Sequence, residues 1–407
     1  MSATKTARLQ LSARGAQDDH LTGTDYSVFR GTVRKHAPFT TVTMPLEFNE
    51  AGFFGKTLTI DVAPHGDLLR SLQLYVRLPG LIPPPSSSYV GWVNSVGHAL
   101  VDTVELMIGG RVVEKQSGLF MDVCLPFSVE AGKADVVNKM IGRYDTARVL
   151  TRNALAPTDI YVPLQFWFTK RLSAALPLCL LANHEVKVRF KMRGFAEVVT
   201  YDGDVPPQKV PTLDARVLAD YVILDDRTRA DLMRKQCHEI VFEQWQSITD
   251  SSIPPGKRSV RLDLPFSNCV KDIIWVLAET DSIRNNDYFF FGRREPLFEN
   301  GEFFTSASLL LDGNVRFLKL PESYYRMVTT AQHHRSAEQR NVYTVSFAEA
   351  ADAYQPSGTA NLSNFDSTSL TLEMVPDLKV ECMVFLLARG YNVLRIKDGM
   401  ASVEFAT

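Results

Sequence analysis

Residues 57–78 carry an alternation that reads as a pair of half-buried strands. Thr57-Leu-Thr-Ile-Asp-Val62 leads into a turn around Pro64-His65-Gly66, and beyond Leu69 the residues Leu72, Leu74, Val76 and Leu78 interleave with Gln73, Tyr75 and Arg77. Successive side chains on a strand point to opposite faces, so the pattern predicts strand, turn, strand with one face in a core. The plan recurs about 200 positions later, in Arg261-Leu-Asp-Leu264, the turn Pro265-Phe-Ser-Asn268 and the run Val270 to Leu277. A third element repeats at the same offset. Val104-Glu-Leu-Met-Ile108 enters Gly109-Gly110 and leaves through Val112-Val113, as Leu309-Leu-Leu311 enters Asp312-Gly313 and leaves through Val315 and Phe317. Gly-Gly and Asp-Gly between apolar runs supply the positive φ that a two-residue hairpin needs, which makes Gly109, Gly110, Asp312 and Gly313 candidate structural turns.

The rest of the chain extends this β-rich reading. Val186-Lys-Val-Arg-Phe-Lys-Met192 alternates strictly between apolar and cationic residues, one face dry and one wet. Leu81-Ile-Pro-Pro-Pro-Ser-Ser-Ser88 is a loop, because prolines cannot donate to a ladder. Residues up to about 25 are polar and aperiodic, an arm or a disordered tail. Val199 to Thr212, with Asp202-Gly203, Pro206-Pro207 and Pro211, has no regular period and marks the expected domain junction. Helical turns are expected in Lys133 to Leu150, in Thr228 to Gln236 and from Pro321-Glu322 to about Gln332, as insertions in loops. The division that follows is an arm at 1–27, a first sandwich at 28–205, a linker at 206–212 and a second sandwich at 213–407. The expected fold class is all-β, with tandem antiparallel sandwiches.

Composition narrows the function. The chain has 407 residues, more than one hydrophobic core usually serves, and 45% are apolar, enough to fill two. Net charge is −2 with no basic block, so no direct nucleic-acid partner is expected. The longest apolar runs, such as Leu176 to Ala182 and Ile273 to Ala278, are too short to cross a bilayer, and residues 1–25 hold no apolar signal core. Cys124, Cys179, Cys237, Cys269 and Cys382 are odd in number and widely spaced, which reads as free thiols in a reducing compartment.

Candidate chemistry is sparse. His333-His334 lacks a third ligand at metal spacing and reads as an exposed pair without function. His184-Glu185 and His238-Glu239 begin like a zincin helix, yet neither is followed by the second histidine. Asp225-Asp226 reads as a cap or a solvated pair, with Arg227 and Arg229 competing for the carboxylates. No phosphate-cradling loop, CxxC pair or serine elbow occurs, so no enzyme, metal or cofactor is expected. Trp92, Phe166, Trp167, Phe168 and Trp245 are expected as aromatic anchors, in a core or at an interface. A lectin-like carbohydrate-binding sandwich and a β-sandwich glycosidase stand beside the structural reading. The first would show exposed aromatics in a groove and the second a carboxylate pair.

Longer strings give the chain a family likeness. Trp92-Val-Asn-Ser-Val-Gly-His98, Val104-Glu-Leu-Met-Ile-Gly-Gly110, Tyr161-Val-Pro-Leu-Gln-Phe-Trp-Phe168, Ala175-Leu-Pro-Leu178, Asp220-Tyr-Val-Ile-Leu-Asp225, Gln355-Pro-Ser-Gly-Thr-Ala-Asn361 and Tyr391-Asn-Val-Leu-Arg-Ile396 occur in an order and spacing that resembles the major capsid proteins of nucleocytoplasmic large DNA viruses. The resemblance runs from about residue 28 to the C-terminus. It implies a double jelly roll, two eight-stranded sandwiches whose trimers form pseudo-hexagonal capsomers in an icosahedral shell, built in the host cytoplasm. The implied partners are two further copies, neighbouring capsomers and minor capsid proteins, with no inserted membrane segment. Loops are short where some members carry tall outward insertions. Asn361-Leu362-Ser363 is a formal sequon, but secretory glycosylation is not expected of such a protein.

Overall fold

The computed structural model describes residues 3–405 apart from 16, 23–28, 30–34, 84–88, 145, 203–209, 295–300 and 337–339. The segment Met1–Pro38 is a unit of its own. Within it Ala3–Ser12 is a helix with every side chain exposed, Leu9 and Leu11 included, where the sequence had suggested only an aperiodic tail. Ala, Leu, Gln, Arg and Lys are good helix formers, and propensity prevails where no core dictates otherwise.

From Phe39 onward, eight strands build a first sandwich: β1 (Phe39–Leu46), β2 (Thr57–Asp61), β3 (Leu68–Leu78), β4 (Val101–Ile108), β5 (Arg111–Ser117), β6 (Thr158–Pro163), β7 (Val186–Met192) and β8 (Asp214–Leu224). Eight more build a second: β9 (Cys237–Ile253), β10 (Ser259–Asp263), β11 (Cys269–Glu279), β12 (Phe304–Leu311), β13 (Asn314–Pro321), β14 (Val342–Ser346), β15 (Thr368–Met374) and β16 (Cys382–Lys397). The sheets of the first run β1-β8-β3-β6 and β2-β7-β4-β5, and those of the second run β9-β16-β11-β14 and β10-β15-β12-β13. Each strand of the second sandwich thus occupies the place of the strand eight positions earlier in the series, and every pairing is antiparallel. This is the jelly-roll order, twice.

The hairpins sit where the turn chemistry requires. Ile108 pairs with Arg111 across Gly109 (φ 57°) and Gly110 (φ 77°), and Leu311 pairs with Asn314 across Asp312 (φ 47°) and Gly313 (φ 75°). Positive φ at both central residues matches the strand twist, and glycine adopts it at least cost.

Strand β8 corrects the expected boundary. It lies beyond the 206–212 stretch, yet pairs with β1 from Phe39↔Leu224 to Leu46↔Val217 and with β3 from Asp214↔Arg77. The proline-rich stretch, of which 206–209 fall outside the described residues, leads into the last strand of the first sandwich. Asp226–Arg234, a short helix, makes the passage to the second. Ala134–Ile141 is a helix within the segment expected to be helical and Ala147–Ala154 begins there and runs past its end at Leu150, and Tyr324–Val328 with Thr329–His333 form a helical stretch after β13, its first part wide-turned. The helix Gly118–Ser128 was not legible in the sequence. Its residues are apolar nearly all round and buried, so it shows no stripe of period 3.6.

Gly110 and Gly313 each have open space where a Cβ would stand, whereas a Cβ on Gly109 would meet His184 Nδ1 at 2.5 Å. Gly110→Ala and Gly313→Ala are therefore expected to cost about 1 kcal/mol each through φ alone, and Gly109→Ala measurably more, in denaturant unfolding.

Candidate functional site at the seam between the sandwiches

Strand β11 reads Cys-Val-Lys-Asp-Ile-Ile-Trp-Val-Leu-Ala-Glu, and every residue after Cys269 is buried. A strand with one wet face would alternate; this one is covered on both. Ile273, Trp275 and Leu277 point into the core of the second sandwich, together with Tyr343, Leu386 and Ala388. Ile274, Val276 and Ala278 belong instead to the core cluster of the first, with Phe242, Val342 and Leu387. The β9-β16-β11-β14 sheet is consequently a shared wall.

What covers its outward side is the flank of the first sandwich: edge strand β5, the helix Gly118–Ser128 and the segment around Trp167. Gln244 donates to the Val113 carbonyl (3.2 Å). Phe120 meets Trp245 edge-on with ring centroids 4.5 Å apart, Trp167 lies 4.6 Å from Phe242, and Phe127 lies 4.5 Å from His334. Aromatic pairs at these spacings add to the area they bury. Of the expected anchors, Phe166 and Phe168 stack within the first core and Trp92 packs edge-on against Phe195, while Trp167 and Trp245 reach across the seam. At the far end Asn183 donates to the Asp398 carbonyl (2.9 Å), and His184 Nδ1 accepts from the Ala401 amide (3.0 Å).

Charges are buried along the same surface. Glu243 pairs with Lys170 of the first sandwich (2.5 Å) and with Lys271 beside it. Arg389 pairs with Asp272 (2.5 Å) and Asp352 (2.9 Å). Asp122, on the helix Gly118–Ser128, takes Arg143 from its own sandwich and Arg340 from the other, and contacts His98 at 3.1 Å. Burial drives the Glu243 carboxyl upward, but Lys170, Arg389 and Lys271 override it and hold the group well below the ordinary range. Burial likewise opposes ionisation of Asp122 and is overcome by Arg340 and Arg143. In Asp352, burial yields to His334 and Arg389. Lys271 pays for its own burial and the nearness of Arg389, its pKa brought down to about 8. Glu114 is the opposite case: burial dominates and pushes it up to about 8, against the hydrogen bond it accepts from Gln116 (2.6 Å) and the nearby Lys170.

His334, expected to be exposed, is buried, with Nδ1 3.2 Å from Asp352. The preceding segment turns inward to cover the sheet, and a lone histidine pair gave no sign of that. His333 meets the Glu349 carbonyl at 3.0 Å. His238-Glu239 lies on β9 with Glu239 paired to Arg395 (3.0 Å), and Asp225 stands at the start of the helix Asp226–Arg234. The five cysteines are free, Cys124 and Cys382 buried and the other three half-buried. Among the described residues no three His, Cys, Asp or Glu side chains gather as a metal would require, and no helix is long and apolar enough to span a membrane. A cleft of about 350 Å³ opens on the seam between Gln73, Trp167, Arg171 and Tyr354, with Glu243 and Arg389 in its wall. Its carboxylates are already held by cations. The chemistry of this surface is that of a lock between two bodies.

Comparison with known proteins agrees with a large assembly role. Residues 27–225 match the family model described as major capsid protein N-terminus, and residues 230–402 match that of the large eukaryotic DNA virus major capsid protein. The major capsid protein of Pyramimonas orientalis virus is 29% identical over 98% of this chain and 98% of its own length. That of Phaeocystis pouchetii virus is 26% identical over 98% and 99%. The fold matches a quasi-atomic model of the PBCV-1 virus capsid with a TM-score of 0.81 at 22% identity, over 94% of this chain and all of that one.

Two measurements test the lock. Arg389→Met leaves Asp272 and Asp352 buried without their cation, and should lower unfolding free energy by about 3–5 kcal/mol in denaturant titration. Glu114 keeps its proton in the folded chain up to about pH 8, whereas the unfolded chain releases it near the ordinary glutamate value of 4.5. Its contribution is therefore full below that value and is lost as pH rises through 8. Glu114→Gln should flatten the fall in melting temperature between pH 5 and 8.5.

Proposed function

The chain belongs to the major capsid proteins of large eukaryotic DNA viruses and is a structural subunit of a virion capsid, and from that premise we propose that it works as a homotrimer, each trimer a pseudo-hexagonal capsomer in an icosahedral shell. The observation that carries the reading is the recurrence of one strand order in both halves of a single chain. Three copies of a chain with two like bodies present six like wedges about a threefold axis, which packs hexagonally while keeping distinguishable edges. A shell subunit needs no catalytic centre, and we assign none: the buried carboxylates Glu243, Asp272, Asp352 and Asp122 are all committed to cations.

For this role we divide the chain into an N-terminal arm, a first sandwich ending with β8 and a second beginning with β9. Neighbouring capsomers and minor capsid proteins are the further partners, with assembly in the host cytoplasm. The arm, with its exposed helix Ala3–Ser12, is the candidate link between capsomers.

Light scattering after size exclusion should give a stable species of about 137 kDa, three times the 45.6 kDa chain. A well-behaved single-chain mass would count against the trimer. Deleting residues 1–25 should leave the trimer mass unchanged and impair shell assembly seen by electron microscopy; normal particles from the deletion would remove the arm from that role.

A further inference from the structure

The cleft of about 350 Å³ at the seam holds cations that no carboxylate among the described residues claims. Its floor is Leu125, Phe127, Leu164, Trp167 and Phe242, all buried, and Val137 and Met140 on the helix Ala134–Ile141 add a half-buried apolar wall. Four cations line it, Lys170, Arg171, Arg335 and Arg389, against the two carboxylates Glu243 and Asp352. Both carboxylates are taken, Glu243 by Lys170 and Lys271 and Asp352 by Arg389. Arg171 and Arg335 are left over. The Arg171 guanidinium lies 5.4 Å from the centroid of the Tyr354 ring, and Arg335 gives Asp352 only its backbone amide (2.9 Å). Both residues are exposed, and neither guanidinium is in a salt bridge among the described residues. Trp167 carries a third donor without an acceptor, for its indole N–H is buried and unpartnered among the described residues. A buried donor left unpaired is costly, and an acceptor brought into the cleft from outside the chain would relieve it.

We propose that this cleft binds a single-chain acyl anion, its hydrocarbon against Leu125, Leu164, Trp167 and Phe242 and its carboxylate or phosphate head between Arg171 and Arg335. The volume lies at the small end of ligand pockets, which run from about 300 to 1,000 Å³ and are mostly apolar with a few convergent polar groups. Taking methylenes out of water supplies affinity, and the guanidinium pair supplies selectivity, since planar N–H forks match the oxygens of a carboxylate or phosphate. Met140 gives the wall a flexible side chain that adapts to the ligand's shape. A neutral sugar suits the cleft poorly, because its hydroxyls need free acceptors and the carboxylates here are held by cations. The position gives the ligand a consequence. Leu125, Trp167 and Arg171 belong to the first sandwich and Phe242, Arg335 and Tyr354 to the second, so a bound anion touches both bodies and fastens the joint between them. This activity lies beyond the shell role and does not depend on how many copies assemble.

The test is calorimetric titration of the full chain with decanoate and with decyl phosphate, beside 1-decanol, which lacks the charge, and acetate, which lacks the chain. One anion should bind per chain, the tighter of the two naming the head group, with decanol and acetate weaker by at least about tenfold. A hundredfold excess of the anion over its Kd should raise the melting temperature by about 4 °C. The double variant Arg171→Ala with Arg335→Ala, both at exposed positions, should weaken the anion at least about tenfold and leave decanol unchanged. Met140→Trp should fill the cleft and remove binding while circular dichroism stays native, and Val137→Phe repeats that test should Met140→Trp misfold. Decanol bound as tightly as decanoate, anion binding that survives the arginine and cleft-filling variants unchanged, or no saturable binding would each overturn the site. None of these results would bear on the capsid role.

Discussion

Ile274, Val276 and Leu387 put apolar side chains on the outward side of a sheet whose other side already fills a core, so the second sandwich cannot stand in water alone. An antiparallel sheet normally keeps one face wet, and burying both is the mark of a layer inside a larger body. That requirement fixes where the first sandwich sits, which of its edges is hidden and which remain free. It also explains why the seam is lined by Trp167, Trp245, Phe120 and Phe242. Flat aromatic surfaces close the gap between a sheet and a flank made of strand, helix and loop.

Apolar contact alone would hold the bodies together without fixing their register. The buried charges supply that. Taking Asp272, Arg389 and Asp352 out of water is costly, and an apolar replacement of the same volume is often no less stable. What the network adds is intolerance of displacement. Within the second sandwich, a shift of one residue along β16 would part Arg389 from Asp272 and leave a buried carboxylate without its cation, a larger penalty than an aliphatic mismatch. Asp122 acts the same way between bodies, since Arg340 reaches it from the second sandwich and Arg143 from the first.

Much of this was written in local pattern. The Gly109-Gly110 and Asp312-Gly313 turns, the alternation of β3 and the constant offset between halves each report on neighbours a few residues away, and sequence records such neighbours well. What escaped depends on distant partners. Asp214–Leu224 belongs to the first body although its sequence places it after the apparent junction, because a proline-rich loop inside a jelly roll has the same composition as a linker between two, and only pairing with β1 and β3 tells them apart. Gly118–Ser128 is buried on all sides and therefore lacks the stripe that announces a helix. His334 lies beside Asp352 and Phe127, neither of them near it in sequence, so its burial left no trace in a His-His dipeptide. Glu243, Lys271 and Asp272 sit in strands whose pattern shows a charge but not its partner.

Duplication gives this chain something that a single sandwich in six copies would lack. Six identical bodies must use one face for every joint, and that face has to be soluble before assembly and dry after it. Here the two faces have diverged at matching positions. Asp272 and Arg389, paired across β11 and β16, correspond to Ser71 and Asp220 across β3 and β8, where the Ser71 hydroxyl donates to the carboxylate at 2.6 Å. Ile274 opposite Leu387 corresponds to Gln73 opposite Leu218. The covalent link holds the second face at high effective concentration beside its flank, so that face can be as apolar as packing allows without being presented to other molecules. The first face keeps the polar, aromatic chemistry that stays soluble in water. Fusion of two bodies thus lets the sheet of the second be buried on both sides while that of the first keeps a wet outward side, and the charge and apolar content of each follows from what covers it.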